Sequence, residues 1–291
     1  MLFKGKASTR KTKKNAIRVR RLLTLWIALS ISGALSAQEF GFGYLDVDRL
    51  YDTIPALFYN DTDYTPTGRY GWDAERYRRK ITQTAALIDS MKLPIIALYG
   101  VENEQVIRDI SAATQHDYLY LHRTLNALDG MDFALLYEGD WIFPELVETG
   151  RRTLYVEATF DRDTVAILLC TDERLVESNI EEILAARPNL PLIVAGRISS
   201  VDFNRLGLID RHAAATHRGW GSRRRRGGWV MRDRIATSPS LGHSEGGIYV
   251  RRWMLDETNA SPIPTFIGRF YRGGAGSNLP VFCTLRLENE E

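Results

Sequence analysis

Arg223, Arg224, Arg225 and Arg226 form the densest local charge in the chain, flanked by Gly221-Ser222 and Gly227-Gly228. Guanidinium groups gathered this way are suited to contacting an anionic ligand. At a hairpin tip, the same run is simply a solvated turn, and that plainer reading is favoured. Gly242-His243-Ser244-Glu245-Gly246 matches G-x-S-x-G, the nucleophile elbow of serine hydrolases. That chemistry needs a strand before the serine, a helix after it and a later His to take the hydroxyl proton. Here a β-like GIYVRRW follows and no His comes after His243, so the segment reads as a surface loop. His116, His122, His212, His217 and His243 show no metal-ligand spacing, and the five-residue step from His212 to His217 does not share a helix face. Cys170 and Cys283 sit in apolar runs, VAILLC and LPVFCTL, and read as two buried thiols. An oxidising compartment would also permit them to pair.

The elements that position these residues belong to an ordinary globular chain of 291 residues, 44% hydrophobic and 25% charged. That balance excludes a disordered, collagen-like or disulfide-scaffold protein. The formal charge of +2 hides an asymmetry, because residues 1–37 hold nine Lys or Arg and no acid. The remainder carries 29 bases against 36 acids, a net of −7, which argues against nucleic-acid binding driven by bulk charge. Residues 22–35, LLTLWIALSISGAL, are too short for a comfortable span and end in Ala34-Leu35-Ser36-Ala37. Residues 1–37 are therefore expected to be a signal peptide, with an uncleaved anchor as the alternative. Residues 38–291 are expected to be an exported protein, periplasmic or extracellular, with no membrane span.

Apolar runs alternate with helical patterns. Strands are expected at 42–47, 93–99, 133–137, 153–159, 164–170 and 190–195, with a turn at 161–163. Asp73 is placed to cap a helix whose stripe is Tyr77, Ile81, Ala85 and Ile88. Further helices are expected over 102–113 and around Val176, Ile180, Ile183 and Leu184, stopping before Pro188. Beyond Gly219 the pattern is β, at 229–237, 248–254 and 279–287. Near-continuous apolar strands separated by helices predict one α/β layered domain.

Seven stretches, in order, resemble the endonuclease/exonuclease/phosphatase superfamily of DNase I-like phosphodiesterases. They are YLDVDRLYDT (44–53), DYTPTGRYGWDAERYRRKI (63–81), IIALYGVENEQVIRDI (95–110), DFALLY (132–137), LPLIVAGRISS (190–200), GGWVMRDRIATSPSL (227–241) and TFIGRFYRGGAGSNLPVF (265–282). The resemblance implies a four-layer α/β sandwich and a site where carboxylates hold divalent metal against a phosphodiester. It also implies His–Asp and Asp-x-Asn pairs that orient water and move protons.

At those positions this chain departs from the family. The opening Asn is Asp46, and the metal-binding Glu of the "QEVEN" strand is Gly100. A His becomes Thr171, the Asp and Asn of "GDFN" become Arg197 and Ser199, and the closing Asp-His becomes Ser277-Asn278. Asp233 is the main polar residue kept. The resemblance with these losses implies an inactive member, without cofactor, that binds an unknown protein partner or an anionic ligand. Arg197 together with residues 223–226 would supply an anion contact. The alternative is an active Mg2+-dependent phosphodiesterase in which Asp46, Glu102 and Asp233 form a relocated acidic cluster.

Overall fold

The computed structural model describes residues 39–125, 127–160, 163–242 and 246–287. The expected signal peptide, the first two residues of the 161–163 turn and the centre of the G-x-S-x-G segment lie outside the described residues. Residues 39–291 form one compact unit that contains both main sheets.

The order is β1 (Glu39–Leu50), α1 (Ala74–Met91), β2 (Ile95–Val101), α2 (Glu104–Ala113), β3 (Leu119–Arg123), β4 (Asp132–Tyr137), β5 (Phe143–Gly150), β6 (Thr153–Phe160), β7 (Asp163–Cys170) and α3 (Glu173–Ala186). Then come β8 (Leu192–Arg197), β9 (Ile209–Asp210), α4 (Ala213–His217), β10 (Arg223–Arg225), β11 (Gly228–Val230), β12 (Asp233–Thr237), β13 (Gly246–Ile248), β14 (Phe266–Ile267), β15 (Phe270–Tyr271) and β16 (Val281–Arg286).

One six-stranded sheet runs β13-β16-β1-β2-β4-β3 and the other β5-β6-β7-β8-β12-β9. The expected α/β sandwich follows from the side-chain alternation. Along β7, Val165, Ile167 and Leu169 join the core between the sheets, while Ala166, Leu168 and Cys170 face Val176 and Ile180 of α3. Apolar residues on both faces are what a doubly covered sheet requires. On the other side, Ile81, Leu87 and Ile88 of α1 and Val106, Ile107 and Ile110 of α2 complete the core.

The helix caps match their sequence signals. Asp73 accepts from Arg76 N, Asn103 from Val106 N and Asp172 from Arg174 N. The second helix begins at Glu104, so Glu102 lies just before it rather than in it. Edge strands β3 and β5 were not expected. All their residues but Leu121 are exposed or half-buried, and they lack a continuous apolar run. The strand expected over 248–254 is corrected. Only residues 246–248 pair with β16, and a 3-10 turn follows at Arg252–Met254. Pro280, just before β16, offers no N–H to extend the ladder, though its carbonyl accepts from Tyr249 N. Both cysteines are buried free thiols, one in each sheet.

Candidate functional site

Parallel pairing gathers the family positions. β1 pairs parallel with β2, and β7 with β8, so four carboxyl ends lie together. Asp46, Gly100, Thr171 and Arg197 leave from those ends. Asp233 opens antiparallel β12 directly opposite Arg197, and Ser277-Asn278 precede antiparallel β16. Ligands collect at such carboxyl ends in open α/β sheets.

At the centre is an ion pair. Arg197 donates from Nε to Asp46 Oδ2 at 3.0 Å, and its Nη2 makes a still closer contact with the same oxygen. The guanidinium lies over the Tyr99 ring, 4.8 Å from its centroid. Burial works against the Arg197 charge, but Asp46 more than offsets it and holds the guanidinium pKa above its ordinary value. The pair therefore links the carboxyl end of one sheet to that of the other.

Asp233 is 1% exposed and neither of its carboxylate oxygens has a partner at hydrogen-bond geometry among the described residues. Burial, then the charge of Asp46, push its carboxyl up to about 7, although Arg197, Arg232 and the Asn278 amide pull the other way. The Tyr44 hydroxyl is also buried without a partner, and its pKa is raised by burial and by the Asp233 and Asp46 charges.

The chain turns sharply after Asp46. Asp48 and Arg49 both take positive φ, 61° and 60°. Asp48 N donates to Asp46 Oδ1 at 3.0 Å, and the Asp48 carboxylate accepts from Ser277 Oγ at 2.7 Å and Thr265 N at 2.8 Å. Gly100, at φ 92°, faces this turn, and an added Cβ would stand 3.3 Å from Arg49 N and 3.5 Å from Asp46 Oδ1. That conformation suits glycine and strains other residues.

Glu102 does not join Asp46 and Asp233. Its carboxylate accepts from Asp52 N and from the Tyr59 hydroxyl, fastening the 52–61 loop. Burial pushes it up to about 7. Ser199 is also turned away, with its N–H and hydroxyl donating to Glu173 at the start of α3. Among the described residues, no group of three His, Cys, Asp or Glu is arranged to hold a metal ion.

The arginine run divides by position. Residues 223–225 and 228–230 make the expected hairpin. Arg225 and Arg226 are exposed at its tip, while Arg223 and Arg224 are half-buried. Ser222 Oγ accepts from both Arg232 N and Asp233 N, which seats the hairpin base on β12. Burial and then the charges of Arg232 and Arg197 lower the Arg223 pKa, so the hairpin base lies in the field of the centre.

Lys80 was missed by sequence reasoning. It is fully buried and donates to Thr265 Oγ1 at 2.8 Å and to the Gly274 and Ala275 carbonyls at 3.1 and 2.6 Å. Burial pushes it down to about 8, against the opposing pull of Asp48 and Asp46. Its signal was present, since a lone Lys directly beside Ile81 falls on the apolar stripe of α1.

The family model described as Endonuclease/Exonuclease/phosphatase family matches residues 42–185. Solved structures share the fold. An endonuclease/exonuclease/phosphatase family protein from Bacteroides thetaiotaomicron superposes with a TM-score of 0.57 at 14% identity, covering 87% of this chain and 99% of that one. Truncated TDP2 from Caenorhabditis elegans gives 0.56 at 14%, covering 87% and 100%. A mannosyl-6-phosphatase from Bacteroides thetaiotaomicron VPI-5482 gives 0.53 at 12%, covering 84% and 99%. No curated protein sequence matches the chain. The fold is thus DNase I-like. Within it, residues 42–185 carry the sequence pattern of the endonuclease/exonuclease/phosphatase family.

Proposed function

We propose that this protein is an exported, catalytically inactive member of its superfamily that works as a binding module. The Arg197–Asp46 ion pair carries the reading. A divalent ion in this fold needs converging carboxylates. Here a cation of the protein itself neutralises Asp46, Gly100 offers no side chain, and Glu102 is occupied by the 52–61 loop. Asp233 is the remaining carboxylate of the expected cluster, and one buried carboxylate beside a guanidinium is a poor donor set for Mg2+.

The ligand of this module is anionic in our reading. Asp46 already satisfies Arg197, so the expected anion contact shifts to Arg223 and Arg232, for which the described residues provide no carboxylate within ion-pair distance. Calorimetry with Mg2+ and Mn2+, run beside hydrolysis of a generic phosphodiester, tests the reading. Absence of saturable metal binding and of turnover is expected. Tight metal binding with turnover abolished by Asp46→Ala or Asp233→Ala overturns it.

A further inference from the structure

Large apolar side chains stand exposed on this protein in a lopsided way. Of the thirteen among the described residues, ten lie outside the two six-stranded sheets, in loops and small hairpins that follow β1 and β13 or precede β4, β12 and β16, the strand ends around Asp46 and Arg197. The other three, Leu119, Phe143 and Leu146, lie on edge strands β3 and β5. Scattered single apolar residues need no explanation, but their concentration at one end does.

Four of these loop tips repeat one composition. Arg218-Gly219-Trp220 leads into the hairpin, which carries Arg225 and Arg226 at its tip and Val230 at its base. Val250-Arg251-Arg252-Trp253 follows β13, and Ile267-Gly268-Arg269-Phe270 forms the turn of β14 and β15. Trp220 is 59% exposed, Ile267 53% and Phe270 68%, and every arginine in these four tips is exposed. Arg218 lies 5.3 Å from the Trp220 ring centroid and Arg269 5.7 Å from that of Phe270.

Acidic residues are sparse within these tips. Residues 211–232 contain seven Arg and no Asp or Glu. In the 249–280 segment Asp256 is taken by Arg272 at 2.9 Å, leaving Glu257 as its other acid. The segments are also tied together, since Leu279 N donates to Ser222 O.

From this we infer that the loop end of the domain docks on an anionic lipid bilayer, with Trp220, Trp253, Ile267 and Phe270 entering the interface and the neighbouring arginines meeting lipid phosphates. Interfacial anchoring uses this combination of aromatic or aliphatic tips and adjacent cations. Charge complementarity selects an anionic surface over a neutral one. Val230, Val250 and Ile267 favour lipid over nucleic acid, because aliphatic side chains offer no face for base stacking. The inference does not rest on the inactive reading of the centre, since such a rim would serve either state.

Residues 39–291 hold both sheets and their cores as one unit and are the form to test, free of the apolar leader. The assay is co-sedimentation with large vesicles of phosphatidylcholine alone or with about one-third phosphatidylglycerol, followed also by tryptophan fluorescence. Binding with a blue shift is expected on anionic vesicles and not on neutral ones. Each Arg near an anionic surface contributes about fivefold to partitioning, so Arg225→Gln/Arg226→Gln lowers it roughly 25-fold. Trp253→Ala/Phe270→Ala removes insertion while circular dichroism stays unchanged, because both side chains are largely exposed. Equal partitioning on both vesicle types, or none on either, overturns the inference. So does a single-stranded oligonucleotide that displaces vesicles and whose own binding both double variants abolish.

Discussion

Asp233→Asn removes a charge from the candidate site while keeping the side-chain shape. The wild-type carboxyl is displaced from an ordinary 3.8 to about 7, chiefly because it is buried, with the Asp46 charge adding to the shift. That displacement corresponds to about 4 kcal/mol of stability. Below pH 3.8 the group is protonated in folded and unfolded chains alike and contributes no pH dependence. Between 3.8 and about 7 the unfolded chain has released the proton and the folded chain holds it, so stability falls as pH rises. Above about 7 the loss is complete. Urea denaturation of wild type and variant from pH 4 to 8.5 measures it. The two should converge near pH 4, and the variant should be more stable by up to about 4 kcal/mol near pH 8. Adding Mg2+ should leave the wild-type slope unaltered, since an ion seated on Asp233 would favour the carboxylate. A variant that is less stable at pH 8, with the wild-type slope retained, would refute the reasoning.

Arg197→Met removes the guanidinium hydrogen-bonded to Asp46 and should cost about 3 kcal/mol, the range for breaking a buried pair. Asp46→Asn/Arg197→Met should recover most of that in a double-mutant cycle, and strictly additive losses would mean the pair is uncoupled. Lys80→Met removes three hydrogen bonds to the 265–275 segment and should speed its backbone hydrogen exchange. Because burial lowers Lys80 from 10.5 to about 8, the unfolded chain holds the proton longer in that interval. Wild type should therefore gain stability as pH rises from about 8 towards 10.5, and Lys80→Met should lack this gain. Burial pushes the Cys170 and Cys283 thiols up to about 11 and 12. A thiol reagent should thus find none accessible in the native protein and two after unfolding.

What the sequence revealed divides along physical lines. Strands covered on both faces, such as β7 and β8, announced themselves as unbroken apolar runs because neither face meets water. The Asp73 cap was equally legible, since it acts on a backbone group three residues away, whereas the Asn103 cap was not read and the second helix was expected to begin two residues early. Edge strands β3 and β5 were silent, being half-exposed and bonded on one side. At the site, the resemblance located Asp46, Gly100, Arg197 and Asp233 at one end of the sandwich. It did not reveal that Arg197 pairs with Asp46, a contact between residues 151 positions apart. Glu102 shows the opposite limit. Its residue type suited a metal site, but the local demand of Asp52 N and Tyr59 for an acceptor took it first.

Under the proposed reading, the departures at the centre form a coupled set rather than a tally of separate losses. An arginine at position 197 without Asp46 would have only Asp233 nearby, which makes no hydrogen bond to it, and an aspartate at position 46 alone would add a second negative charge beside Asp233. Together they cancel, which is why the buried pair is tolerated despite the cost of desolvating both ions. Gly100 belongs to the same arrangement, because a side chain there would enter the space against Asp46 Oδ1 and the turn at Arg49. Restoring any one family residue consequently works against the rest. An aspartate at position 197 would face Asp46 and Asp233 with no protein cation between them. A glutamate at position 100 would add backbone strain and a further carboxylate while Arg197 still held Asp46. On the inactive reading proposed above, the ion pair sets a barrier against regaining metal chemistry one substitution at a time.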